Sequence, residues 1–174
     1  FYNHGHYDVE CLIRAIPSVV KSCENVKFIV KGSGPLEAYL KNLAEKLGVA
    51  QHVRFIGLVP YSEMAQFLSA ADIYVSTSFF DSTSVSLLEA MACGLAPIVT
   101  DIPGNREWVE DGINGFLYPP RNHAALAEKV IQLAENSKLR TAFGRKCVDT
   151  VKKRATWEYC VSRMEAVYEE VIKR

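Results

Sequence analysis

Between residues 81 and 89 the chain reads Asp81-Ser82-Thr83-Ser84-Val85-Ser86-Leu87-Leu88-Glu89. Its hydroxyls crowd the point where a strand ending near Thr77 hands over to a helix expected at 85–92. A helix N-terminus carries unbonded amides and about half a positive charge. A phosphate placed there would gain those donors, with hydroxyl hydrogen bonds besides. Simple N-capping by one of Ser82, Thr83 or Ser84 is the alternative. Glu89 lies further along the same helix, in an apolar stretch with Leu87, Leu88, Ala90 and Met91. Such a carboxylate either faces solvent or, turned into a cleft, accepts paired hydrogen bonds from a vicinal diol such as ribose. A glycine-rich stretch, Gly32-Ser33-Gly34-Pro35, also invites a ligand: glycine lets backbone approach closely, and proline suits the first turn of a helix. A tight turn with no ligand has the same composition.

The elements that would position these residues follow from periodicity. Val9, Leu12, Ile13, Ile16, Val19, Val20 and Cys23 recur at helical steps behind Asp8 as N-cap, with a kink expected at Pro17. A strand is expected at 26–30, then a helix marked by Leu36, Leu40, Leu43 and Leu47 and stopped by Gly48. The alternation repeats with a strand at 53–56, a helix capped by Ser62, a strand at 73–76, the helix at 85–92 closed by Gly94, and a strand at 96–99. A short helix is expected at 104–110 and a last strand at 115–118. Asn122, Ser137 and Thr156 read as caps of three terminal helices. Strands alternating with helices predict an α/β fold, a Rossmann-like parallel sheet with helices on both faces. Ligands then bind at the carboxyl ends of the strands, which selects the loops 32–35, 57–61 and 78–84.

Composition bounds the rest. With 174 residues, 49% hydrophobic and 10% aromatic, the chain is no tail, fibre or disordered linker. One domain of this size buries roughly 70% of its unfolded surface. Lys plus Arg and Asp plus Glu each number 20, and the pI is about 7.1, which argues against binding nucleic acid or an anionic membrane through bulk charge. The one basic run, Lys152-Lys153-Arg154, reads as a solvated helix face. The five cysteines contain no CxxC pair, which fits a reducing, cytoplasmic compartment. Cys11, Cys23 and Cys160 fall on apolar stripes and Cys93 follows Ala92, as small buried hydrophobes would. His6, His52 and His123 are scattered, with no metal-ligand spacing. Trp108 and Trp157 read as anchors on amphipathic helices, and Arg106 as a solvated loop residue. No apolar run approaches the ~18 residues of a membrane span. Beginning at Phe1 without methionine, the chain is expected to be part of something longer.

The run from Asp81 to Glu89, continued by Ala90-Met91-Ala92-Cys93-Gly94, Pro97-Ile98-Val99-Thr100-Asp101 and Gly104, resembles the C-terminal domain of the retaining, nucleotide-sugar-dependent glycosyltransferases of GT-B fold, family 4 or group 1. Gly32-Ser33-Gly34-Pro35 is similar to that family's GxGP turn, and Val53-Arg54-Phe55-Ile56-Gly57-Leu58-Val59-Pro60 to its strand and loop before the base pocket. Ala70-Ala71-Asp72 and the turn from Glu107 through Pro119 also match, in order.

The resemblance implies that residues 1–174 are a single donor-binding domain, with terminal helices from about 122. An N-terminal domain outside this chain would bind a saccharide or lipid-linked acceptor. Glu89 would hold the ribose hydroxyls. Asp81 would lie near the transferred sugar and stabilise charge at its anomeric carbon. The amides and hydroxyls of Ser82, Thr83, Ser84, Val85 and Ser86 would cradle the diphosphate. Leu58 and Val59 would line the base pocket, and Gly32, Ser33 and Gly34 would form the neighbouring turn. The family's basic pair makes a metal unnecessary, so neither metal nor cofactor is expected. Here its lysine falls on His4, a weaker clamp because histidine titrates near 6.5, and its arginine would lie upstream. Asp81 stands where glutamate is usual, and Ser82-Thr83-Ser84 where Gly-Phe-Gly is usual.

The expected substrate is a UDP- or GDP-hexose, with the isolated domain inactive and the whole enzyme cytoplasmic, peripheral contact with the cytoplasmic membrane face included. The last helix, carrying Val161, Met164, Val167 and Tyr168, would cover the N-terminal domain rather than this sheet. Two other readings keep the fold: an epimerase or phosphorylase of the same architecture, and a non-catalytic nucleotide-binding module.

Overall fold

Parallel strands need apolar cover on both faces, and here the helices between them supply it. The computed structural model describes residues 6–173. In chain order the elements are α1 (Val9–Ser22), β1 (Phe28–Lys31), α2 (Glu37–Lys46), β2 (Val53–Gly57), α3 (Met64–Ser69), β3 (Ile73–Ser76), α4 (Val85–Ala92), β4 (Ala96–Thr100), α5 (Pro103–Arg106), β5 (Phe116–Tyr118), α6 (His123–Glu135), α7 (Ser137–Arg154) and α8 (Trp157–Ile172). The fold is the α/β one expected, with parallel strands flanked by helices. The strands form two groups: β1 pairs with β2 from Phe28 opposite Val53, while β3, β4 and β5 pair in that order from Ile73 opposite Ala96 and Ile98 opposite Phe116.

Helix α1 joins the two groups. The Asp8 carboxylate caps it by accepting from the Cys11 amide at 3.0 Å. One of its stripes, Cys11, Ala15 and Val19, packs with β4, β5 and α6; the next, Ile13 and Ile16, packs with Val30 of β1 and with α2. All five residues of β4 are buried. Ala96 and Ile98 belong to the α1 and α6 side, while Val99 meets Leu87 and Met91 of α4 and Cys147 of α7 on the opposite face. Pro97 cannot donate to a ladder, and it sits one residue before pairing with β5 begins. A Cβ on Gly115 would lie 2.7 Å from Pro97 Cγ, so glycine there makes room for the ring.

Several local expectations are corrected. Ser62 does not cap α3: it lies in a 3₁₀ turn, and the helix starts after Glu63 without a side-chain cap. The cap of α7 is Asn136, whose Oδ1 accepts from the Leu139 amide at 2.9 Å, and Ser137 is the first helical residue. Asn122 and Thr156 do cap α6 and α8. The helix expected at 104–110 is the single turn of α5, because the chain must bend to bury Trp108 and Val109 under α4 and α7. Trp108 is thus a core anchor on a turn rather than on a helix. Trp157 starts α8 and is 80% exposed, and no residue of α8 is buried. The expected apolar stripe of α8 therefore covers none of this sheet. Cys11 and Cys147 are buried, and burial pushes both thiols up to about 12; Cys23 and Cys93 are half-buried, and Cys160 is exposed.

Helix α4 ends at Gly94 in a left-handed conformation, φ +77°. Gly144, inside α7, lies so close that a Cβ on it would strike the Gly94 carbonyl oxygen. Alanine normally stabilises a helix interior over glycine by about 1 kcal/mol, but overpacking against backbone costs about 1–3 kcal/mol. Gly144→Ala is therefore expected to destabilise the protein by up to about 2 kcal/mol, read as a lower urea midpoint at unchanged slope.

Candidate functional site

The loop from β3 to α4 is held at its start, its middle and its end. Leaving β3, the Ser76 carbonyl accepts from Tyr118 Oη of β5 at 3.2 Å, and the Ser78 carbonyl accepts from Thr100 Oγ1 of β4. On the other side the Asp8 amide donates to the Thr77 carbonyl at 2.9 Å, and the Phe79 amide to the His6 carbonyl at 2.8 Å. At the middle, Gly104 presses its Cα against the backbone of Asp81 and Ser82: a Cβ would lie 2.6 Å from the Ser82 carbonyl oxygen and nearer still to that of Asp81. At the end, Ser84 Oγ accepts from the Leu87 amide at 3.4 Å and caps α4. Ser86 Oγ shares hydrogen bonds with Ser84 Oγ at 3.1 Å and with Tyr74 Oη at 2.8 Å.

These contacts sort the predicted hydroxyls. Capping is real and belongs to Ser84, and the Ser86 hydroxyl is tied to Tyr74. Ser82 and Thr83 stay exposed, as does Val85 at the start of the helix. Asp81 and Glu89 are both half-buried, so Glu89 is not the fully solvated carboxylate its apolar surroundings also allow.

A second group forms where β1 and β2 end. The Gly32 amide donates to the Gly57 carbonyl at 2.7 Å, bringing the loops 32–35 and 57–61 together. Both glycines have positive φ, +123° and +68°, which other residues rarely adopt. Gly32 is buried, Ser33, Gly34 and Val59 are half-buried, and Leu58 is 67% exposed. His4 lies outside the described residues.

The predicted donor residues that are described thus fall into two loop groups, one after β3 and one after β1 and β2. A cleft of about 340 Å³ opens elsewhere, at the N-termini of α1 and α6, with Asp8, Arg14, Phe79, Arg121 and His123 in its walls. Among the described residues Arg121 is the one non-glycine with positive φ, +65°, and its guanidinium stacks 5.0 Å from the Phe79 ring centre. No three His, Cys, Asp or Glu side chains among the described residues converge as metal ligands would. Arg106 belongs to α5 rather than to a loop and remains exposed; its Nη2 donates to Asp101 Oδ2 at 2.8 Å.

Sequence reasoning missed Tyr74, Thr100 and Asn105. Their signals are weak in sequence: a tyrosine in a strand, a threonine at a strand end and an asparagine in a turn are each commonplace, and only the fold brings them to one loop.

Doubly wound α/β domains with their loops gathered at strand carboxyl ends form a nucleotide-binding class. A profile of the glycosyl transferases group 1 matches residues 5–147, and the chain belongs to that family. It is 31% identical over 173 residues to the phosphatidyl-myo-inositol mannosyltransferase of Mycobacterium leprae, covering 96% of this chain and 45% of that protein. In structure it is similar to S. aureus TarM, a mutant of which was crystallised with fondaparinux, alpha-GlcNAc-glycerol and UDP: TM-score 0.86, 25% identity, 93% of this chain and 33% of that one. The catalytic domain of the cholesterol-alpha-glucosyltransferase of Helicobacter pylori gives a TM-score of 0.75 at 27% identity, over 86% of this chain and 91% of that one. The chain has the α/β fold found in GT-B glycosyltransferases and spans less than half the length of the mycobacterial relative. Among the described residues no helix is long and apolar enough to cross a membrane.

The hydrogen bonds and charge of Arg106 hold the Asp101 carboxyl below its ordinary value. A depressed carboxyl contributes stability that is present above the unfolded pKa, about 4, and lost as pH falls through the folded value. Arg106→Ala is therefore expected to raise the Asp101 titration midpoint toward about 4, measured by NMR of the carboxyl carbon.

Proposed function

We propose that the protein carrying this domain transfers a hexosyl group, with retention of anomeric configuration, from a uridine or guanosine diphosphate sugar to a saccharide or lipid-linked acceptor. The observation that carries the reading is the β3–α4 loop. It is fixed at three places and leaves Ser82, Thr83, Val85 and Ser86 exposed and Asp81 half-buried beyond the carboxyl end of β3. UDP in the TarM crystal supports a nucleotide-sugar donor, and the names of the relatives support glycoconjugate synthesis.

In this reading Glu89 takes the ribose diol. The Val85 and Ser86 amides, with the hydroxyls of Ser82 and Thr83, take the diphosphate. Asp81 faces the sugar, while Leu58 and Val59 border the base beside Gly32, Ser33 and Gly34. As the glycosidic bond breaks, negative charge grows on the departing diphosphate. Donors already in place stabilise it without reorganisation, and losing one such donor raises a barrier by roughly 3 kcal/mol. The positive end of α4 supplies part of that field. Basic groups of the protein, with His4 where the family has lysine, supply the rest in place of a divalent ion.

The acceptor and the far wall of the cleft come from a further, N-terminal domain, so the isolated domain is inactive. The exposed apolar residues of α8, Met164, Val167, Tyr168 and Val171, support such a partner. Work at the cytoplasmic side, including its membrane face, fits a lipid-linked acceptor.

Calorimetric titration of the intact protein with UDP, GDP and ADP tests the reading. One nucleotide is expected to bind in the micromolar to millimolar range, unchanged by EDTA, and Glu89→Gln to weaken it at least tenfold, about 1.4 kcal/mol. NMR of the product formed by turnover would show the donor's anomeric configuration preserved. Failure of all three nucleotides to bind would overturn the donor site.

A further inference from the structure

We infer that Asn105, acting through Thr100 and Ser78, is a positioning residue for Asp81 and through it for the donor sugar; the inference rests on the proposed role of Asp81 above. Asn105 is 0% exposed, Thr100 1% and Ser78 0%. Asn105 Nδ2 donates twice, to the Thr100 carbonyl at 2.9 Å and to Thr100 Oγ1 at 3.1 Å. Thr100 Oγ1 spends its one proton on the Ser78 carbonyl. Both Thr100 atoms that face Asn105 are therefore acceptors, which fixes the amide with its nitrogen inward and makes the chain directional, from Asn105 to Thr100 to Ser78.

That orientation leaves Asn105 Oδ1 buried with no hydrogen-bond partner. An unsatisfied buried acceptor is destabilising, so the asparagine is a poor choice if packing alone were at stake. What it secures is the path of the loop. From Phe80 to Thr83 apolar burial holds little: Phe80 is 76% exposed, and Ser82 and Thr83 are exposed. The loop's course toward Asp81 is set by backbone contacts, and two of them come from adjacent residues of α5. Asn105 fixes the Ser78 carbonyl through Thr100, while Gly104 abuts the carbonyls of Asp81 and Ser82. The turn after β4 thus grips the loop on both sides of Phe79 and Phe80. A carboxylate displaced by about 1 Å can lose about 100-fold in rate, whereas the α4 turn and Glu89 that hold the nucleotide are anchored separately by Ser84 and Tyr74.

The test uses the intact protein with Asn105→Leu, close in volume and apolar, and Thr100→Val, isosteric without the hydroxyl. Each variant is expected to hold the free nucleoside diphosphate within about threefold of wild-type affinity, since the α4 turn and Glu89 stay anchored and only the Ser82 and Thr83 hydroxyls loosen, to lose at least tenfold in kcat, and to exchange the backbone amides of 79–84 at least tenfold faster. The double variant is expected to be no slower than the worse single one, since both break one chain. If Asn105→Leu does not fold, Thr100→Val carries the same three readouts. Unchanged kcat and loop exchange in a folded variant would overturn the inference. So would a matching loss of nucleotide affinity, which marks general damage. A wild-type protein that turns over no donor would overturn the proposed function and with it the catalytic consequence, while the exchange rates would still report whether Asn105 holds the loop.

Discussion

Strand β4 is buried along its whole length, with α1 and α6 on one face and α4 and α7 on the other. A strand so enclosed has no water to satisfy its polar groups and must meet them from neighbouring protein. Its last residue, Thr100, does this for more than itself. It receives the Asn105 amide and passes a hydrogen bond to the Ser78 carbonyl, so the end of the most deeply buried strand also sets the exit of the strand beside it. The β3–α4 loop hangs from that junction.

Much of the fold was legible because helical and strand periodicities are strong where cores are large. The Asp8 cap, the strand at 73–76 and the α4 helix closed by Gly94 all stand where the pattern put them. Local signals failed where two candidates sat side by side or where packing overrode propensity. Asn136 outcompetes Ser137 because its carboxamide reaches the Leu139 amide. Glu107 to Glu110 could have continued a helix, but burying Trp108 and Val109 bends the chain away. Cys160 has the spacing of a core residue on a helix that has no core to face.

The candidate site was legible in part for a different reason. Asp81, Ser82 and Thr83 are consecutive, and Glu89 lies on the second turn of the helix they lead into, so sequence spacing alone assigns them to one loop and its helix. The supports are not: Ser78 and Thr100 are 22 residues apart, and their meeting is a property of parallel pairing between β3 and β4. Ser86 shows the converse. Its position matches a phosphate-binding role, yet its hydroxyl is bonded to Tyr74 across the start of α4, and so it stiffens the first turn as well as lining it.

Helix α8 turns its apolar side chains to solvent, and among them stands the exposed thiol of Cys160, while Cys11 and Cys147 lie inside with their thiols pushed up to about 12. A thiol-selective reagent therefore meets Cys160 well before either core cysteine. With the half-buried Cys23 and Cys93 replaced, the helix becomes a reporter: a dye on Cys160 would sense, by colour or quenching, whether the apolar face is wet or sheltered.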